Sequence, residues 1–144
     1  MQQHEALESH VKVVCAEANF FLRNCMPDAS IDVTYINFPE PYNTQPKHRL
    51  IQLSLVVLLA QKMKQGGVLY VATDDYSTCV HTLSIMWDVR ELWKTCWESQ
   101  QGFRTTFEEE YSNFKSENKK RMGGYEEALK EMGRTIYYMK FQRY

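Results

Sequence analysis

Three carboxylates in this 144-residue chain stand where acid chemistry could be done: Glu17, Glu40 and Asp74. Each is the first acid after a strand-like run, respectively VKVVCA (11–16), IDVTYINF (31–38) and GVLYVAT (67–73). The carboxyl ends of parallel strands form the crevice in which open α/β sheets bind their ligands. A carboxylate fixed there can accept a substrate N–H and offset positive charge that develops in a transition state. Glu40 is the most confined, within Phe38-Pro39-Glu40-Pro41-Tyr42. Proline fixes φ and cannot donate to a ladder, so the strand must stop there and the acid is held stiffly at its end. Each acid also has a plainer reading. Glu40 could be a solvated turn acid, and the others helix caps.

The elements that would position these acids follow from apolar patterning. Residues 11–16 read as a short strand, 17–26 as an amphipathic helix, and Pro27-Asp28-Ala29-Ser30 as a turn. Residues 31–38 read as the second strand. After a polar loop containing NTQPKH, residues 49–65 show a wide apolar face, with lysines in the last turn and Gly66-Gly67 as the stop. The run 67–73 suits a strand covered on both faces. Asp75 is placed to cap a helix over 76–87, residues 90–99 could form a strand, and 104–132 are expected to be helical in part. Residues 134–144 close the chain as an aromatic-rich strand. Strand and helix alternate, so a mostly parallel α/β sheet is expected, with a terminal strand pair added. Right-handed crossovers would then bring Glu17, Glu40 and Asp74 to one crevice.

Composition narrows the function classes. The chain has the hydrophobic and charged content of an ordinary globular domain, 44% and 24%. Its formal net charge of −1 gives no global field toward nucleic acid, so a nucleic-acid role would need a local patch. Lys47, His48 and Arg49 form one such patch and Lys119-Lys120-Arg121 another, although a charge run is more often a solvated face. The four cysteines are far apart and form no C-x-x-C, and Cys79-Val80-His81 is a weak metal hint. Buried free thiols in a reducing cytoplasm are expected rather than zinc. No apolar run approaches the ~20 residues needed to span a membrane, and the polar start MQQHEALESH resembles no targeting peptide.

The segments INFPEPY, KHRLIQ, GGVLYVATDDY, FRTTFE and IYYMKFQR together resemble the bacterial-type tRNA (guanine-N7-)-methyltransferase family, in the same order and spacing over about residues 11–144. The resemblance implies a Rossmann-like class I methyltransferase sheet with an antiparallel C-terminal strand. It also implies S-adenosylmethionine as cofactor and tRNA as partner, with methyl transfer to N7 of a guanine in the variable loop. On the matching positions, Glu40 stands for the catalytic aspartate and also lies beside the cofactor. Glu17 stands where an acid or amide reads the adenine. Asp74, Thr105 and Glu108 match substrate contacts, and Lys47 and Arg49 remain from a basic cluster that contacts tRNA phosphates. T-x-x-E is also a capping box, so Thr105 and Glu108 keep that second reading.

Two departures qualify the match. The family's basic loop is thinned here, with Thr44 where a substrate-contacting lysine is expected. No glycine precedes Gly66, whereas the family carries a Gly-rich cofactor turn near its start. The whole chain is therefore expected to form one N-terminally truncated domain, the C-terminal part of the usual catalytic domain. Its strand at 31–38 would expose an edge that invites a homodimer or other association. The alternative function is a catalytically inactive methyltransferase-like protein that binds RNA or supports an active subunit.

Overall fold

The computed structural model of the protein describes residues 10–96 and 131–144. Its elements, in chain order, are α1 (Ala18–Cys25), β1 (Ile31–Asn37), a 3-10 turn (Pro46–His48), α2 (Leu53–Lys62), β2 (Met63–Thr73), α3 (Tyr76–Asp88), β3 (Trp93–Thr95) and β4 (Tyr137–Arg143). The strands form one mixed sheet in the order β1-β2-β4-β3. β1 runs parallel to β2, while β4 is antiparallel to both β2 and β3. The antiparallel C-terminal strand is as expected from the sequence, but the mostly parallel sheet is not. Among the described residues only one of the strand pairs is parallel.

That difference has a local cause. VKVVCA forms no strand, and Val11, Val13 and Val14 are 56%, 95% and 55% exposed. Strand propensity expresses packing against neighbours rather than a backbone preference, and among the described residues this segment has no neighbouring strand. Of the strand expected over 90–99, the described residues 90–96 give the three-residue β3, with Arg90 to Leu92 in the turn before it, and 97–99 lie outside the described residues. The expected helical stretch at 104–132 lies almost wholly outside the described residues, as do Thr105, Glu108 and Lys119-Lys120-Arg121.

α2 also ends before the glycines expected to stop it. Its last carbonyls are taken by the turn before β1: Ala29 N donates to Gln61 O (3.1 Å) and Ser30 N to Lys62 O (2.9 Å). The Lys62 ammonium, nearly buried, pairs with Asp28 at 2.8 Å. The chain therefore enters β2 at Met63. Gly66 and Gly67 lie inside that strand, where the register jumps from Ile31↔Met63 to Val33↔Val68. Gly66 has φ +79, and a Cβ on Gly67 would stand 2.9 Å from Lys64 O, so the bulge requires both.

The core lies between the helices and the sheet. Leu55, Val56 and Leu59 of α2 and Met86 of α3 bury with Leu69, Val71, Met139 and Phe141 of the strands. Trp93 of β3 is buried and donates Nε1–H to Val56 O (3.1 Å), which satisfies its only polar atom. Arg143 Nε donates to Ala60 O, tying the end of β4 to α2. β1 and β2 therefore have fixed carboxyl ends. Asn37 is in register with Ala72, two residues before Asp74.

Candidate active site

The turn after β1 is built around a buried arginine. Arg49 is only 8% exposed. Its Nε donates to Pro41 O (2.7 Å), and its Nη2 donates to Asn43 Oδ1 (3.1 Å) and Ser77 Oγ (2.8 Å). A carbonyl is all that a proline backbone can offer, and here it receives the charged donor. The guanidinium thus binds the Glu40 turn to the first turn of α3. Asn43 Nδ2 adds a second tie, to Asp75 Oδ1 at 3.3 Å. At the strand end, Phe38 N donates to Ala72 O (2.7 Å).

Phe38 and Tyr42 both adopt positive φ, 51° and 44°, and each lies two residues from Glu40. Such a conformation is costly for an aromatic residue and persists only where the surroundings impose it. Between these two points Glu40 is exposed, and among the described residues it makes no hydrogen bond or ion pair. The turn is rigid and its acid is free. Lys47 and His48 are exposed on the neighbouring 3-10 turn, and the His48 ring tilts against Tyr42 with centroids 5.8 Å apart.

The other acids are engaged. Asp75 caps α3: its Oδ2 accepts from Thr78 N and Thr78 Oγ1, both at 2.7 Å. Burial pushes the Asp75 carboxyl up, but the hydrogen bonds from Thr78 and Asn43 and the charge of Arg49 more than offset this, leaving it below its ordinary pKa. Asp74 is not a cap. Its Oδ2 is 3.0 Å from Nε of Arg134, a half-exposed residue just before β4. Glu17 caps α1, with Oε1 accepting from Asn19 N and Nδ2 and Oε2 from Phe20 N. Those hydrogen bonds, from Phe20 first and then Asn19, hold its carboxyl below the ordinary range.

Glu40 and Asp74 follow the neighbouring carboxyl ends of the parallel strands β1 and β2, whereas Glu17, expected at a third strand end, follows no strand and instead begins α1. Ala18, next to Glu17, and Asn37 and Pro39, near Glu40, line a single cavity of about 530 Å³ beside β1. Asp74 follows the adjacent end of β2. Sequence reasoning missed Arg134 and the inward role of Arg49, since each meets partners far away in the chain. Asp75, by contrast, was legible as a cap. The four cysteines are free, but only Cys79 is buried, and burial pushes its thiol up to about 11. Among the described residues no group of three potential metal ligands occurs, and no helix is long and apolar enough to cross a membrane.

A methyltransferase family model matches residues 2–139, nearly the whole chain. The chain belongs to this methyltransferase family. Curated relatives include the tRNA (guanine-N(7)-)-methyltransferase of Yersinia enterocolitica, 36% identical over 85 residues, covering 58% of this chain and 36% of that protein. The enzyme of the same name from Serratia proteamaculans is 37% identical over 84 residues, covering 57% and 35%. The family resemblance read from the motifs therefore holds. The chain spans about a third of the length of the curated relatives it matches.

Methyltransferase chemistry implies S-adenosylmethionine, and the described residues do not by themselves fit it. The cavity beside β1 is walled almost entirely by apolar side chains, with Thr34, Tyr35 and Asn37 as the polar exceptions. Glu17, implied by resemblance to read the adenine, has both oxygens committed to the start of α1. The described residues supply a strand-end surface on which Glu40 has no partner among them.

Proposed function

We propose that this chain supplies the guanine-holding side of an S-adenosylmethionine-dependent tRNA (guanine-N7-)-methyltransferase. The observation that carries this is the state of Glu40, a free carboxylate in a turn that is strained on both sides and clamped by Arg49. Guanine N7 already offers a lone pair on its major-groove edge, so methylation needs positioning rather than a strong base. A carboxylate that accepts from guanine N1–H and N2–H would hold the ring and offset the positive charge it gains on methylation. The length of Glu40 gives it one methylene more reach than the family's aspartate.

In this reading Lys47 contacts tRNA phosphate from its exposed 3-10 turn. Arg49, assigned to phosphate by resemblance, acts instead through its buried guanidinium as a positioning residue for the Glu40 turn. Asp74, Thr105 and Glu108 remain substrate-binding residues by family match, and Asp74 would exchange Arg134 for substrate. Glu17 stays with the start of α1 rather than with the cofactor, and cytoplasmic tRNA is the partner.

A fusion of the chain to the part of the Yersinia enterocolitica relative that it does not span would test this. Single-turnover methylation of unmodified tRNA should occur with the fusion and be lost on Glu40→Gln, while tRNA affinity stays. Turnover of Glu40→Gln at the parent rate would make Glu40 a turn acid. tRNA binding by the parent fusion without any methylation would favour the non-catalytic, RNA-binding reading.

A further inference from the structure

Beside the strand-end acids stands an aromatic ring that the core does not use. Tyr76 is the first residue of α3, and at 61% exposure it lies outside the core. Its ring is nevertheless held in place. It tilts by 56° against the ring of Tyr137, with centroids 5.7 Å apart, within the range of a favourable aromatic pair. Tyr137 begins β4 and is in register with Thr73, the last residue of β2. The sheet therefore braces an exposed ring at the carboxyl end of β2.

Tyr76 is also tied to the turn that carries Glu40. Its two chain neighbours receive hydrogen bonds from that side: Asp75 Oδ1 accepts from Asn43 Nδ2 (3.3 Å), and Ser77 Oγ accepts from Arg49 Nη2 (2.8 Å). Arg49 also donates to Pro41 O (2.7 Å), next to Glu40. Glu40 and Tyr76 thus stand on one hydrogen-bonded unit. The surroundings of the ring are polar. Asp75 and Ser77 flank it in the chain, and Asp74, paired with Arg134 at 3.0 Å, lies two residues before it. A docking protein would bring an apolar surface to an exposed aromatic residue, whereas a nucleobase brings a π face with polar edges. The nucleobase suits these neighbours.

A carboxylate that holds guanine through N1–H and N2–H acts in the plane of the ring and supports neither face. Bases of single-stranded RNA loops are commonly splayed out and stacked on aromatic side chains. We propose that Tyr76 is an RNA-binding residue of this site, its exposed ring stacking a nucleobase of the tRNA segment that carries the target guanine. The inference rests on the proposed reading of the chain as part of a tRNA methyltransferase. It adds a contact beyond Asp74, Thr105 and Glu108.

Binding of unmodified tRNA to the 144-residue chain tests it. Tyr76→Ala should weaken affinity by about five- to 100-fold, the usual loss for one stacked base. The slope of log affinity against log salt should stay that of the parent, since no phosphate contact is removed. Tyr76→Phe keeps the ring and should bind as the parent does. Tyr76→Leu keeps apolar bulk against Tyr137 without a π face, so it should lose affinity too, which covers the case of a poorly folded Tyr76→Ala. With 2-aminopurine placed in turn at the target position and at each of its neighbours, fluorescence at one of them should be quenched by the parent and recover with Tyr76→Leu. Parent affinity in both Tyr76→Ala and Tyr76→Leu overturns the proposal. So does a loss in Tyr76→Phe equal to that in Tyr76→Ala, or the absence of any tRNA binding by the chain. A Tyr76-dependent affinity without methylation by the fusion would keep this contact and remove the catalytic reading. Methylation by the fusion with parent affinity in the Tyr76 variants would do the reverse.

Discussion

The turns that follow β1 and β2 are neighbours built from similar parts, and they handle their acids in opposite ways. After β2, Asp74 and Asp75 are both engaged, one by Arg134 and the other by the start of α3. After β1, the scaffold of the turn carries all the hydrogen bonds and Glu40 carries none among the described residues. An acid that completes a helix is already satisfied. A free acid on a rigid turn keeps its full capacity for a ligand, because no internal partner must be released first. The comparison separates acids that hold the fold from an acid left without a partner among the described residues.

Substitutions at four positions would sharpen or break that contrast. Glu40→Gln should cost roughly 2.7–4 kcal/mol of barrier, on the order of 10²–10³ in rate, in the methylating fusion. Its urea midpoint should stay within about 0.5 kcal/mol of the parent, since the residue is exposed and unpaired. A large loss of stability would show that Glu40 belongs with the structural acids. Arg49→Leu should come next, with a loss of about 2–3 kcal/mol in stability, because a buried charged donor set is removed and Pro41 O, Asn43 and Ser77 are left without it. Activity should fall with it, and Arg49→Lys, which keeps the charge but not the planar fork, should rescue little.

Asp75→Ala should cost about 1 kcal/mol, the usual value of an N-cap, read as a shift of the urea midpoint. Its pH dependence has a definite sign. The folded carboxyl lies below its ordinary value of 3.8, so the stabilisation is fully present above that pH and is lost as pH falls through the lower, folded value. Wild type and Asp75→Ala should therefore converge in stability only in strong acid. Convergence near neutral pH would rule out the cap as the source. Asp74→Asn should have the smallest effect on stability, within ~1 kcal/mol, because its partner Arg134 is half exposed. A larger loss would place Asp74 beside Arg49 as part of the scaffold.

Much of this layout is legible in the residues. The apolar runs of α2 and β2, the Asp75 cap and the aromatic strand at the end appear in the structure within a few residues of where patterning puts them. The helix stop is misplaced because Gly66-Gly67 matches a local rule for helix ends, whereas the turn at 28–30 had already taken the last carbonyls of α2. The first strand is absent for a related reason. Its composition satisfies a strand, but composition cannot supply the neighbour that makes one.

By itself the sequence determined the family, the short-range elements and the position of Glu40 at a strand end. Those features depend on residue order and on backbone limits, above all the two prolines, which act within a few residues. Tertiary structure decided what each charged side chain is for. Arg49 sits among a carbonyl eight residues back and a hydroxyl 28 residues ahead, and Asp74 finds its cation on the approach to β4. Whether a charge is satisfied inside the protein or left for a ligand depends on such distant partners, because electrostatic and hydrogen-bond energies are set by proximity in space and by burial, and neither is a property of the local sequence.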